Sequence, residues 1–175
     1  MTTVEPGTEA PLSGERAAIL EALTKHRWLF TATLTDLTDE QAAARTTVSE
    51  LCLGGLVKHV ADTEDQWVRF ARECTSAFPT FEQTDWQARA DSFRLLPGET
   101  VAGVLADYAA VAARTDEAVR TLDLDLAFPL PEAPWFEQEE WSARRVFLHL
   151  LAEIAQHAGH ADVLREAVDG RKSMG

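Results

Sequence analysis

Cysteine is scarce: Cys52 and Cys74 are the only two in 175 residues. That count speaks against a disulfide scaffold and fits a reducing compartment. No apolar run approaches the roughly 20 residues that span a bilayer. The first eleven residues lack the basic and apolar pattern of an export signal, so a cytoplasmic protein with no membrane partner is expected. Basic residues are also in the minority, 16 Lys and Arg against 29 Asp and Glu, for a formal charge of −13 and a pI near 4.7. Such a surface repels phosphate backbones, which argues against a nucleic-acid partner. Internal repeats, low-complexity tracts and strand-like alternation are missing too.

What the chain does have is helical periodicity. Its length suits one well-filled core. Residues 1–12, with Pro6, Gly7 and Pro11, read as a flexible leader, residues 13–170 as a single domain and 171–175 as a tail. Ser13 is a plausible N-cap for a first helix to about Leu34, whose apolar positions are Ala17, Leu20, Leu23, Trp28, Phe30 and Leu34. His26 reads as a surface residue. Residues 35–50 form a linker with one helical turn after Thr38. A second helix runs from about Leu51 to Arg72, with Leu56, Val60, Trp67 and Phe70 inward. Residues 75–97 read as an aromatic connector with a short helix. Pro97-Gly98-Glu99-Thr100 opens a third helix that runs to about Leu122. Leu126 to Phe136 holds three prolines and three aromatics, which excludes helix and central strand and predicts a loop pinned by Phe128, Trp135 and Phe136. Ser142 caps a fourth helix, which Asp169-Gly170 ends. The fold class is therefore all-α, a four-helix bundle with long connectors between helices two and three and between three and four.

The fourth helix carries His149, Glu153, His157 and His160 at spacings of three and four, on one narrow stripe beside a wide apolar arc. Ionisable groups beside a core are costly unless they are paired or hold a metal. Glu153 and His157 can converge on one ion from a single helix, and His59 of the second helix supplies a third donor. Two imidazoles and one carboxylate suit zinc, and also iron or nickel. His149 suits a partner orienting Glu153, and His160 a fourth ligand, a proton carrier or a substrate contact; spacing does not separate these roles. Cys52 lies two turns before His59, about 10.5 Å along the helix, too far to share an ion with it. Both cysteines read as packing residues.

The pairing of Leu53-Gly-Gly-Leu-Val-Lys-His59-Val-Ala-Asp-Thr-Glu-Asp-Gln-Trp67 with Glu153-Ile-Ala-Gln-His157-Ala-Gly-His160-Ala-Asp-Val-Leu-Arg-Glu166 resembles the DinB/YfiT-like superfamily of metal-binding four-helix proteins. More narrowly it resembles the mycothiol-dependent S-transferase branch. Pro97-Gly-Glu-Thr100, Ala113-Arg-Thr-Asp-Glu117, Phe128-Pro-Leu-Pro131 with Trp135-Phe136, and Ser142-Ala-Arg-Arg145 match as well, so the resemblance covers about Ser13 to Gly170. It implies a metal held by a histidine of helix two and an i,i+4 histidine pair of helix four. His59 and His157 match that pattern. Glu153 stands where the wider superfamily has the middle histidine, and the narrower branch is similar in using glutamate there.

The resemblance further implies a divalent metal and a low-molecular-weight thiol such as mycothiol as co-substrate, the thiol attacking a small electrophile. Trp86, Trp135 and Phe136 would wall the electrophile, and His160 or His149 would handle protons. Two other readings stay open: a metal-stabilised binding or scaffold protein without turnover, and a metal hydrolase with His160 as its base. A homodimer through helix one or three is also compatible.

Overall fold

The computed structural model describes residues 12–74, 78, 81–131, 136 and 139–173, without the side chain of Phe81. The leader, Leu12 apart, and Trp135 lie outside the described residues. In chain order the elements are α1 (Gly14–Ala32), α2 (Asp39–Ala43), α3 (Leu53–Glu73), a single 3-10 turn (Phe81–Gln83), α4 (Trp86–Asp91), α5 (Val101–Thr121), β1 (Ala127–Pro129), β2 (Glu140–Ser142) and α6 (Ala143–Asp169). The four long helices make the expected all-α bundle, in which α1 packs chiefly on α6, and α3 on α5 and α6. None of the described helices is long and apolar enough to cross a membrane.

Local chemistry sets most boundaries. The side chains of Ser13, Thr38, Asp85, Thr100 and Ser142 each accept a backbone N–H three residues on, satisfying a donor the helix leaves open. Thr38 and Gln41 complete a reciprocal capping box. Gly170 closes α6 at φ 80°, a left-handed cap that glycine adopts without strain. The tail is tied back as well: Ser173 donates to Asp162 from both its backbone N–H and its hydroxyl.

The apolar positions meet in one core, where Leu23, Phe30, Leu56, Val57, Phe70, Phe147 and Leu150 are all fully buried. Charges are buried with them. Arg27 donates to Glu64 at 2.5 Å and to Asp116 at 2.7 Å, joining α1, α3 and α5. Arg165 donates to the carbonyls of Thr33 and Thr35 and to Asp169, fastening the end of α6 under the end of α1.

Several expectations need correction. Trp28, expected inward, is 63% exposed, because α1 turns its neighbour Arg27 toward Glu64 instead. His26 is half-buried at the surface of α1. Cys52 is buried, as a packing residue should be, but it also caps α3, its sulfur accepting the Gly55 N–H at 3.4 Å. The proline-rich loop contains a short ladder after all: β1 pairs antiparallel with β2, Phe128 facing Trp141 and Pro129 facing Glu140. Both strands are edges, where proline's missing N–H costs little.

Candidate functional site

His59 comes from α3 and His157 from α6, and the packing of those helices brings the imidazoles together. Their rings meet edge-on, centroids 5.0 Å apart and planes at 79°. One turn before His157, the Glu153 carboxylate lies between two histidines: Oε2 is 3.6 Å from His157 Nε2, and Oε1 is 3.5 Å from His149 Nε2. At those lengths the contacts are electrostatic rather than well-formed hydrogen bonds. One turn beyond, His160 Nδ1 approaches His157 Nδ1 at 3.4 Å and faces solvent. All four residues of the stripe thus lie side by side, and His59 joins them from across the helix–helix boundary.

The surroundings decide their charge. Burial, then the neighbouring His157 and Arg89, pushes the His59 pKa down to about 4, so this ring is neutral at physiological pH. Burial lowers His149 as well, against the pull of Glu153. Contact with His157 holds the Glu153 carboxyl below its ordinary value despite burial. His59 therefore offers a neutral imidazole and Glu153 an ionised carboxylate, the forms that bind metals.

His59 is oriented from outside its own helix. The ring of Phe93, in the connector after α4, stacks on it with centroids 4.1 Å apart. That connector is pressed onto α3 at the small residues that precede the histidine. At Gly55 an added Cβ would lie 1.9 Å from the Phe93 carbonyl oxygen, and at Gly54 one would lie 3.1 Å from Leu95. Lys58 then clamps the connector, donating to the carbonyls of Asp91 and Arg94 and to Glu99 at 2.7 Å. Gly55 is glycine because backbone passes where a side chain would be.

His149 sits in an aromatic setting. Trp67 of α3 and Trp141 of β2 stack at 4.9 Å, and the His149 ring meets both at near-perpendicular angles, 4.8 and 5.1 Å away. Phe78 and Phe136 lie against Trp67. Of the three aromatics expected to wall a substrate, Phe136 thus stands in this cluster, whereas Trp86 is 51% exposed. Phe93, Lys58 and Trp141 escape a reading by helical spacing because they reach the site from connectors or by long-range contact. The two glycines four and five residues before His59 were the available signal of a close approach.

Among the described residues, no group of three or more His, Cys, Asp or Glu side chains is drawn together as an ion-holding set. The donor chemistry of His59, Glu153 and His157 nevertheless fits a divalent cation. Two ligands about 2.0–2.1 Å from a tetrahedral zinc are about 3.3 Å apart, and His157 Nε2 and Glu153 Oε2 are separated by 3.6 Å.

A family model described as mycothiol-S-transferase matches residues 18–170. Among solved structures, the crystal structure of a conserved protein from Enterococcus faecalis matches with a TM-score of 0.61 at 18% identity, over 89% of this chain and 97% of that one. At that identity the likeness speaks to the fold alone. No curated protein matches the chain.

Proposed function

Because the chain belongs to the mycothiol-S-transferase family, within the DinB/YfiT-like superfamily, we propose that it is a metal-dependent S-transferase joining a low-molecular-weight thiol of the mycothiol type to a small electrophile. One observation carries the assignment of the site: imidazoles from two different helices lie 5.0 Å apart beside an ionised carboxylate. His59, Glu153 and His157 would hold the cation, zinc by preference of the donor set, with nickel or iron as substitutes. When bound, it would supply the Lewis acidity that lets a thiol ionise near neutral pH.

The chain's own groups do the rest. Glu153 offsets one positive charge. His157, with Nδ1 turned to His160, keeps Nε2 on the carboxylate side, where a lone pair is useful. His160 is exposed and takes up the thiol proton for release to water. Phe93 shields one face of His59, and the Trp67 cluster supplies apolar surface. The sulfur forms a bond to the electrophilic carbon, the leaving group departs with its electron pair, and no protein side chain attacks.

Purified protein incubated with a reactive aromatic chloride should form conjugate with mycothiol, less with glutathione and none beyond background without thiol. His59→Ala and His157→Ala should lose both metal and conjugation. Comparable metal content in wild type and both variants would overturn the site, and metal retention without any thiol-dependent product would leave a binding protein instead.

A further inference from the structure

His149 and His160 both flank the Glu153–His157 pair by spacing, but tertiary contacts set them apart. His160 is exposed, whereas His149 is held against two stacked indoles. Those indoles are fixed in turn. Trp67 is buried on α3. Trp141 is registered opposite Phe128 in the hairpin, donates from Nε1 to Glu139 at 2.8 Å and is covered by the Arg145 guanidinium at 4.1 Å. A ring wedged this way has little rotational freedom, and its Nε2 is directed at Oε1 of Glu153, the oxygen not facing His157.

We propose that His149 is a positioning residue. Held by Trp67 and Trp141 with Nε2 3.5 Å from Glu153 Oε1, it would close to a hydrogen bond on that oxygen in the loaded site and so present only Oε2 to an ion shared with His157 and His59. A carboxylate with one oxygen engaged binds through the other alone, which leaves a coordination position for the sulfur of the thiol. The inference rests on the metal reading above and adds to it the reason why a glutamate is workable there.

The test separates hydrogen-bond donation from ring packing. His149→Phe keeps an aromatic ring against the indoles and removes the donor; His149→Gln gives up the ring and restores an N–H near the former Nε2. Zinc affinity is measured by competition with a chromophoric chelator, alongside thermal unfolding of the metal-free proteins. His149→Phe should bind zinc about 10- to 100-fold more weakly, as expected for loss of a group that orients a ligand. His149→Gln should recover most of that affinity, although its metal-free form is no more stable than that of His149→Phe. Cobalt-loaded wild type and His149→Gln should share one ligand-field spectrum. Wild-type affinity in His149→Phe, equal losses in both variants, or a changed cobalt spectrum in His149→Gln would each overturn the proposal while leaving the metal site standing. A wild-type protein that binds no zinc would overturn both.

Discussion

Gly55→Ala is the sharpest single perturbation of how this site is held. The new methyl would sit 1.9 Å from the Phe93 carbonyl oxygen, 2.2 Å from its carbon and 2.6 Å from the Arg94 nitrogen. All three are backbone atoms, so no rotamer change relieves the clash, and the connector must retreat by about 1 Å or more to reach ordinary contact. Overpacking of this kind costs about 1–3 kcal/mol. Alanine's helix propensity returns about 1 kcal/mol, leaving a net loss of about 0–2 kcal/mol. Gly54→Ala is the internal control, because its methyl meets only the Leu95 side chain at 3.1–3.2 Å, which can shift. That variant should be neutral or slightly stabilised by the same propensity. Urea denaturation of the pair, read as ΔG with unchanged m, tests the difference. Gly55→Ala should also lift Phe93 off His59, and NMR titration should show the imidazole moving from a pKa of about 4 toward its ordinary value. Equal stability of the two variants, with His59 titrating as in wild type, would refute the reasoning.

Three further outcomes are expected. Glu64→Gln leaves Arg27 buried with Asp116 as its remaining ionised partner, and should cost about 1.5–3 kcal/mol in chemical denaturation; a loss below about 1 kcal/mol would show that the pair is dispensable. In metal-free protein, the depressed pKa of His59 means that the unfolded chain binds the extra proton first. Its contribution is thus complete above about pH 6.5 and fades as the pH falls toward 4. After allowance for the ring's partial exposure this amounts to on the order of 2 kcal/mol. His59→Asn should flatten the plot of urea midpoint against pH in that window, where His149 contributes a slope of the same sign. Zinc at 100 times its dissociation constant should stabilise the wild type by about 2.7 kcal/mol, a rise in Tm of about 5–10 °C, and chelation should reverse it. His157→Ala should show no such shift in calorimetry.

The helices were readable because their signals are local. Ser13, Thr100 and Ser142 cap by bonds that reach three residues, and Gly170 ends α6 by its own backbone freedom. The stripe of His149, Glu153, His157 and His160 was legible for the same reason, since helical geometry alone places them side by side. Arg27 was not, because its burial depends on Glu64 and Asp116, which stand 37 and 89 residues away in the chain. The β1–β2 ladder was missed because each strand is only three residues long, too short to show alternation.

The sequence by itself determined which residues share a helix face, and hence that a carboxylate and three imidazoles line one edge of the last helix. Only the tertiary structure decided what each of them faces. Packing of α3 on α6 brought the His59 ring to His157, a backbone crossing at Gly55 laid Phe93 over it, and two indoles from distant segments enclosed His149 but not His160. Periodicity fixes an angle about one helix axis, whereas a site built between helices depends on the distance and register between axes, which follow from how the whole core packs.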